Sequence, residues 1–164
     1  MTSTDRLAAL EQRIAYLEDQ EKIRELLARY GFNADLGRAE EYLDVWTDDG
    51  IYDSGAAPMV GKDALREMIT SPTGFHKSEV ENRSLHTVGN LYIAIEGDTA
   101  WAEGYSVVWL REGAGYKALT AGYNHWDFKR AADGWRMTRR LRRNVGDDEW
   151  GGETIKAYLG AGPA

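Results

Sequence analysis

The chain has 164 residues, with 27 acidic and 20 basic side chains for a formal net charge of −7, and it contains no cysteine. The lack of cysteine excludes disulfides, thiolate nucleophiles and zinc–thiolate sites, and the acidic balance argues against a nucleic-acid partner. No apolar run is long enough to cross a membrane and the first residues lack the features of a signal peptide, so we expect a cytoplasmic protein of about one domain without a membrane partner.

The first 37 residues are predicted to be helical. An apolar residue recurs every three or four positions over residues 7–17, and a second apolar stripe runs over residues 23–30, which fits one long helix or two helices. The first stripe is too short for a stable coiled coil by itself. We interpret residues 1–19 as a helical arm that packs on its own domain or on a neighbouring subunit. The stripe consists of Leu7, Leu10, Ile14 and Leu17.

Shorter elements follow the arm and the first helix. The pattern predicts a short helix over residues 38–46, a turn and a short strand over residues 47–53, and an amphipathic helix over residues 61–69. Residues 71–83 are polar without a clear period, which predicts a loop, and we expect His76 to lie on its surface.

From residue 84 onward the apolar period is two, which predicts hairpin-linked strands. Helices followed by such strands indicate an α+β fold, and glycines within the strands favour a strongly bent sheet. We therefore expect a bent antiparallel sheet covered by the N-terminal helices, a cone-shaped α+β barrel over residues 20–145, and then a tail over residues 146–164 with one helical turn near residues 153–159. The predicted strands are residues 91–95, 101–111, 116–130 and 135–144.

Five segments of the chain resemble, in the same order, the SnoaL-like branch of the nuclear-transport-factor-two-like superfamily. They are residues 21–30 (EKIRELLARY) with Asp35, residues 46–50 (WTDDG), residues 86–90 (HTVGN), residues 96–100 (EGDTA) and residues 133–137 (DGWRM). The resemblance implies the cone fold and a homo-oligomer, either a dimer or a trimer. The family includes polyketide cyclases, scytalone dehydratase, a lindane dehydrochlorinase, ketosteroid isomerases and, in the wider superfamily, non-catalytic dioxygenase subunits.

The resemblance also implies a catalytic pair. In scytalone dehydratase and the dehydrochlorinase, an aspartate late in the first helix pairs with a histidine on a strand, and Asp35 and His86 match those two places. A histidine is a suitable general base near neutral pH, and a carboxylate on its other nitrogen fixes the tautomer. A carboxylate in a last helical turn is unfavourable with the helix dipole, which favours a functional role for Asp35. The alternative is that His86 is a core histidine and Asp35 a helix-end residue.

The remaining candidates are mostly aromatic. Tyr30 and His125 are further catalytic candidates, and His86, His125 and one aspartate are the residue types of a metal site, although we expect no metal and no cofactor. Alternation places Trp101, Tyr105 and Trp109 on one strand face, either a concave pocket wall or a convex interface between subunits. Trp101 and Trp135 are predicted to be packing residues, and Trp150 lies in the tail. The substrate-binding candidates are Trp46, Tyr52, Asn90, Trp109, Tyr123, Trp126 and Arg140.

An arginine-rich segment, residues 136–143, is predicted to be an exposed edge strand or an inter-subunit strip, with Arg140 turned inward to hold a carboxylate or an oxyanion. Taken together, the sequence predicts a cofactor-independent lyase that performs a dehydratase-type elimination on a small hydrophobic substrate, cyclic or aromatic, through Asp35 and His86. The alternatives are an isomerase or an aldol-type polyketide cyclase with the same pair, and a non-catalytic ligand-binding or assembly subunit.

Overall fold

The computed structural model describes residues 2–146, in which three α-helices and one π-helical turn pack on a six-stranded sheet. The predicted tail, with Trp150 and the turn near residues 153–159, lies outside the described residues. The helices are α1 (Ser3–Asp35), α2 (Ala39–Asp44) and α3 (Gly61–Thr70), and the π-helical turn is His76–Val80. The strands are β1 (Trp46–Asp53), β2 (Met59–Val60), β3 (Ser84–Glu96), β4 (Thr99–Glu112), β5 (Gly115–Ala131) and β6 (Gly134–Asn144).

Helix α1 is one continuous helix of 33 residues, without a break near residue 18. It begins with a capping box, in which Thr2 and Asp5 exchange side-chain to backbone hydrogen bonds. Every residue from 3 to 18 is exposed, and burial begins at Asp19. There the carboxylate accepts two hydrogen bonds from Arg130, at 3.1 and 2.8 Å, and one from the Trp135 indole at 3.1 Å, which attaches the helix to the sheet.

The sheet has the strand order β2-β1-β6-β5-β4-β3. Strands β3 to β6 pair antiparallel as predicted, but β1 pairs parallel with β6, so the sheet is mixed. Strand β1 also begins at Trp46, five residues earlier than the sequence predicts, because the polar segment 47–50 stays extended. The bent sheet is not closed, and the fold is therefore a cone that is open at the sheet edges instead of a complete barrel. Among residues 2–146, no helix is long and apolar enough to cross a membrane.

The helices cover the inner face of the sheet, which carries small side chains on β4. Ala100, Ala102 and Ser106 are buried on this face, and the rings of Trp101, Tyr105 and Trp109 alternate with them and lie on the outer face. The ring-bearing face of β4 is therefore the convex one. Large apolar residues of α1, α2 and α3 fill the space between helices and sheet. This core includes Ile23, Leu26, Leu27, Tyr42, Leu43, Leu65, Ile69, Trp126, Phe128 and Met137.

The prediction that residues 136–143 form an exposed edge strand is wrong, because β6 lies between β1 and β5. A register shift in the β5–β6 pairing places Met137 opposite Phe128 but Arg139 opposite Asp127, so Thr138 is an extra residue. This bulge changes which face the following side chains occupy. Arg140 and Arg142 are consequently buried on the inner face, whereas Arg139 is exposed.

Candidate active site

The end of α1 and the start of β3 bring a carboxylate and an imidazole together. Asp35 is the last residue of α1, and His86 lies near the start of β3. His86 Nδ1 lies 2.5 Å from Asp35 Oδ1, and the His86 amide donates a hydrogen bond to Asp35 Oδ2 at 2.8 Å. The helix approaches the strand this closely because residue 31 is glycine: a Cβ on Gly31 would lie 3.2 Å from His86 Cβ.

Hydrogen bonds keep Asp35 ionised. Burial by itself would raise the pKa of Asp35, but the His86 ring, the Ser84 hydroxyl and the His86 amide all donate to this carboxylate and hold its pKa below the usual value. Since a carboxylate accepts hydrogen bonds, the neutral His86 ring carries its proton on Nδ1 and has its lone pair on Nε2. Within residues 2–146, no side chain or backbone group hydrogen-bonds to Nε2. The pair therefore presents an unoccupied basic nitrogen.

Two cavities meet at His86. The larger cavity, of about 700 Å³, lies between α3, the π-helical turn and the inner face of the sheet. The smaller cavity, of about 450 Å³, lies between α1 and β3. Tyr30, His86 and Arg140 line both. These volumes suit a small organic molecule. The apolar wall of the larger cavity includes Met59, Met68, Ile69, Phe75, Val80, Val108 and Leu119.

Arg140 places a buried positive charge beside these cavities. Its side chain is 3% exposed, and its Nε and Nη2 donate to Asn124 Oδ1 at 3.0 and 2.8 Å. Its Nη1 donates to the Tyr30 hydroxyl, and the guanidinium lies 4.9 Å from the centroid of the Tyr52 ring. In the described part of the chain Arg140 forms no ion pair with a carboxylate, so all of its contacts there are neutral. A negative charge that develops in the cavity would interact favourably with this guanidinium.

Tyr30 is held as a hydrogen-bond donor. Its hydroxyl accepts from Arg140 and, at 3.3 Å, from Tyr42, so its own proton is available for a third partner. Burial raises the pKa of Tyr30, and the charge of Arg140 offsets this only in part. The phenol therefore stays protonated at neutral pH. The Tyr30 and His86 rings lie edge-on with their centroids 6.5 Å apart, which leaves a donor and a base on neighbouring parts of one cavity wall.

Comparison of the sequence with known domain families agrees with the fold and with this site. Residues 15–141 match the SnoaL-like domain family. The protein belongs to this family. A search of curated proteins finds no match to the chain.

Solved structures support the same fold for this SnoaL-like protein. An NTF2-like protein with a cystatin-like fold from Novosphingobium aromaticivorans is 33% identical, with a TM-score of 0.82, over 91% of this chain and 96% of that one. A candidate aromatic ring hydroxylase from the same organism is 25% identical, with a TM-score of 0.67, over 79% and 90% of the two chains. A function-unknown protein from Mycobacterium tuberculosis is also 25% identical, with a TM-score of 0.70, over 89% and 94%.

Some of the substrate-binding candidates reach the cavities of this SnoaL-like protein and one lies behind them. Tyr52 lines the larger cavity, and Asn90 and Trp126 line the smaller one. Trp46 is 1% exposed and lies behind Tyr30, with the ring centroids 6.1 Å apart. Trp46 therefore supports the wall of the cavity without lining it.

Trp109, Tyr123 and His125 lie on the outer face, so the prediction that they line the cavity is wrong. They alternate along β4 and β5 with inward residues such as Asn124 and Trp126. A strand's parity is easily misjudged by one residue, and a shift of one moves a side chain to the opposite face. His86 and His125 lie on opposite faces of the sheet, so the two-histidine metal set considered from the sequence does not assemble.

His76 is the residue that sequence reasoning missed. It was predicted to lie on the surface, but it is 8% exposed and lines the larger cavity. Its Nε2 donates to the Ala34 carbonyl at 2.8 Å, one residue before the catalytic candidate Asp35, and burial lowers the pKa of the ring. His76 is therefore neutral at pH 7. The polar sequence around it gave no signal of burial, because the π-helical turn that inserts it is formed by tertiary packing.

Proposed function

We propose that the protein is a cofactor-independent lyase that eliminates water from a small hydrophobic carbonyl compound, with Asp35 and His86 as its catalytic pair. The observation that carries the proposal is the 2.5 Å contact between His86 Nδ1 and Asp35 Oδ1, on a histidine that lines two cavities with its other nitrogen unoccupied. The SnoaL-like family includes dehydratases, cyclases and isomerases, which share proton transfer next to a carbonyl.

The proposed reaction begins with proton removal. His86 Nε2 takes the proton from the carbon next to the substrate carbonyl, and the C–H electron pair forms an enolate. The imidazolium that results is stabilised by the ionised Asp35. The enolate then expels the hydroxyl group from the neighbouring carbon, which forms the C=C bond, and His86 Nε2 returns its proton to the departing oxygen. One water leaves, and His86 and Asp35 are regenerated in their starting states.

Tyr30 and Arg140 are proposed to stabilise the enolate oxygen. The Tyr30 hydroxyl has a proton to donate, and the hydrogen bond that it accepts from Arg140 makes that proton a stronger donor. Because Arg140 is buried without a carboxylate partner among residues 2–146, its charge is not neutralised before the substrate binds. Charge stabilisation in such a site is typically the largest contribution to catalysis.

The cavity combines an apolar wall with polar side chains beside His86. Its methionine and aliphatic side chains can bury a hydrocarbon body, and Tyr30, His86 and Arg140, which line both cavities, can contact a carbonyl group. We therefore propose cyclic or aromatic β-hydroxy ketones as the substrate class.

A panel of β-hydroxy ketones in D₂O tests the proposal. Enone absorbance reports loss of water, and mass spectrometry reports deuterium incorporated next to the carbonyl. We expect enone formation from at least one cyclic member, and Asp35→Asn is expected to lower the rate by about 10²–10⁴ because the imidazole loses its orienting carboxylate. The control is Asp127→Asn, which removes a carboxylate from His125 on the outer face and is expected to change the rate less than twofold.

The other outcomes distinguish the alternatives. Deuterium incorporation without loss of water would replace elimination with an isomerase or aldol-type cyclase that uses the same pair. A chain that binds panel members but catalyses neither exchange nor elimination would instead be a binding or assembly subunit. Equal rates for Asp35→Asn and the unmodified protein would contradict the role of the pair.

A further inference from the structure

The first half of α1 carries an apolar stripe that nothing in the described chain covers. Leu7, Leu10, Ile14 and Leu17 are 57%, 55%, 55% and 61% exposed. Side chains of this type are normally buried, and a row of four along one helix marks a contact surface. We name these four residues the arm stripe.

The arm stripe points away from the domain. At about 100° of rotation per residue, its mean direction lies roughly 170° from that of the buried side chains later in the same helix, among them Ile23 and Tyr30. A helix that packs on the arm stripe therefore lies on the opposite side of α1 from the sheet.

We propose that the arm, residues 3–20, pairs in parallel with the same segment of a second copy of this chain. The spacing of the arm stripe assigns Leu7 and Ile14 to the a positions of a heptad and Leu10 and Leu17 to the d positions. Leucine at both d positions, together with the β-branched Ile14 at one of the two a positions, favours two parallel strands. The next a and d positions are Glu21 and Arg24, so the apolar contact ends where α1 meets its own domain. Two heptads are too short for a stable coiled coil of free peptides, but the arm is already helical as part of α1, so we expect a weak pair.

The charges beside the arm stripe select the parallel orientation. The g positions hold Arg6 and Arg13, and the e positions hold Glu11 and Glu18. In a parallel pair each g residue faces the following e residue of the other helix, which places Arg6 against Glu11 and Arg13 against Glu18. An antiparallel pair would place arginine against arginine and glutamate against glutamate. Within residues 2–146, none of these four side chains forms an ion pair in its own chain, so all are available to a partner.

Cysteine cross-linking tests the pairing directly, because the chain has no cysteine of its own. In a parallel pair Leu10 faces Leu10 of the second copy, so Leu10→Cys is expected to form a symmetric disulfide under mild oxidation in most of the protein. The matched control is Gln12→Cys, at the exposed f position of the same turn, which is expected to cross-link in less than a tenth. Equal and low cross-linking at both positions overturns the proposal.

Charge exchange provides the second test, read by sedimentation velocity. Glu11→Lys with Glu18→Lys is expected to raise the dissociation constant of the pair at least tenfold, and adding Arg6→Glu with Arg13→Glu is expected to restore it. In an antiparallel pair neither step changes the association, so an unchanged constant overturns the parallel arrangement. A chain that stays monomeric at its solubility limit overturns the pairing altogether. Circular dichroism of the dilute monomer should be the same for all variants, because the arm residues are exposed in it. At protein concentrations where the pair forms, the melting temperature is expected to follow the dissociation constant, because association stabilises the folded chain.

Discussion

Two histidines pair with carboxylates on opposite faces of one sheet. On the inner face, His86 donates through Nδ1 to Asp35 and its Nε2 has no partner among residues 2–146. On the outer face, His125 places Nδ1 3.0 Å from a Glu103 oxygen and Nε2 3.1 Å from an Asp127 oxygen. A neutral imidazole has one N–H, so two carboxylate partners suit the protonated ring. The hydrogen bond to Asp127 is the main cause that raises the pKa of His125, assisted by Glu103 and opposed by burial.

The difference shows what makes a histidine–carboxylate pair suitable for catalysis. A general base needs one nitrogen that is oriented and another that is available to the substrate. His86 meets both conditions and lines a cavity. His125 has both nitrogens occupied and its ring stacks on Trp101, with centroids 5.9 Å apart. We therefore interpret the outer cluster as structural.

The largest expected effect comes from exchanging each histidine for glutamine. His86→Gln removes the proposed base and is expected to lower kcat on a substrate from the panel by about 10²–10⁴. His125→Gln is expected to lower kcat less than twofold. Steady-state kinetics on the two purified variants checks both. Comparable losses in the two variants, each correctly folded, would mean that the faces do not differ in function.

The next largest effect is expected from a single hydroxyl. Tyr30→Phe removes the proposed donor to the enolate oxygen while the ring and its packing remain, and kcat is expected to fall about a hundredfold. The outer-face control is Tyr123→Phe, for which we expect no measurable change. A fall in kcat/KM that comes entirely from KM would assign Tyr30 to substrate binding alone.

A smaller effect is expected where α1 contacts His86, the proposed base. Gly31→Ala adds a Cβ that would lie 3.2 Å from His86 Cβ, so the ring must move by a few tenths of an ångström. We expect kcat to fall about three- to tenfold. The melting temperature is expected to stay nearly unchanged, because the strain of the new contact is offset by the about 1 kcal/mol by which alanine favours the helix over glycine. The matched change is Gly115→Ala, whose Cβ would meet nothing closer than 3.9 Å. A large loss of stability without loss of activity would contradict this reasoning.

The smallest effect is a dependence of stability on pH from the outer cluster. Because the pKa of His125 is raised on folding, its contribution to stability is fully present below about pH 6.5 and is lost as the pH rises through the folded-state value. His125→Gln is expected to cost about 1 kcal/mol near pH 5.5, or roughly 2–4 °C in Tm, and less near pH 9. Thermal melts at both pH values check the sign. A larger cost at the higher pH would contradict it.

Several features of the fold and site follow from the sequence. The period of two from residue 84 predicts the bounds of β4 to β6 to within a few residues, whereas β3 begins earlier than the predicted strand. The segments that resemble the SnoaL-like family place Asp35 and His86 at matching positions. The face of the sheet on which each side chain lies is harder to predict from the sequence. Bulges near Asn90, Leu119 and Thr138 each reverse the alternation, and no sequence pattern marked them.

The sequence by itself predicted the α+β class, the helices and the hairpin-linked strands β3 to β6, and the segments that resemble the family located Asp35 and His86, because these depend on local periodicity and on short motifs. It did not predict strand β2 or the π-helical turn. Arg140 points inward as the sequence predicts. The tertiary structure decided which face of the bent sheet is concave, and hence that Trp109, Tyr123 and His125 do not reach the cavity, and it placed His76 in the cavity wall. The physical reason is that one extra residue in a strand moves every later side chain to the other face.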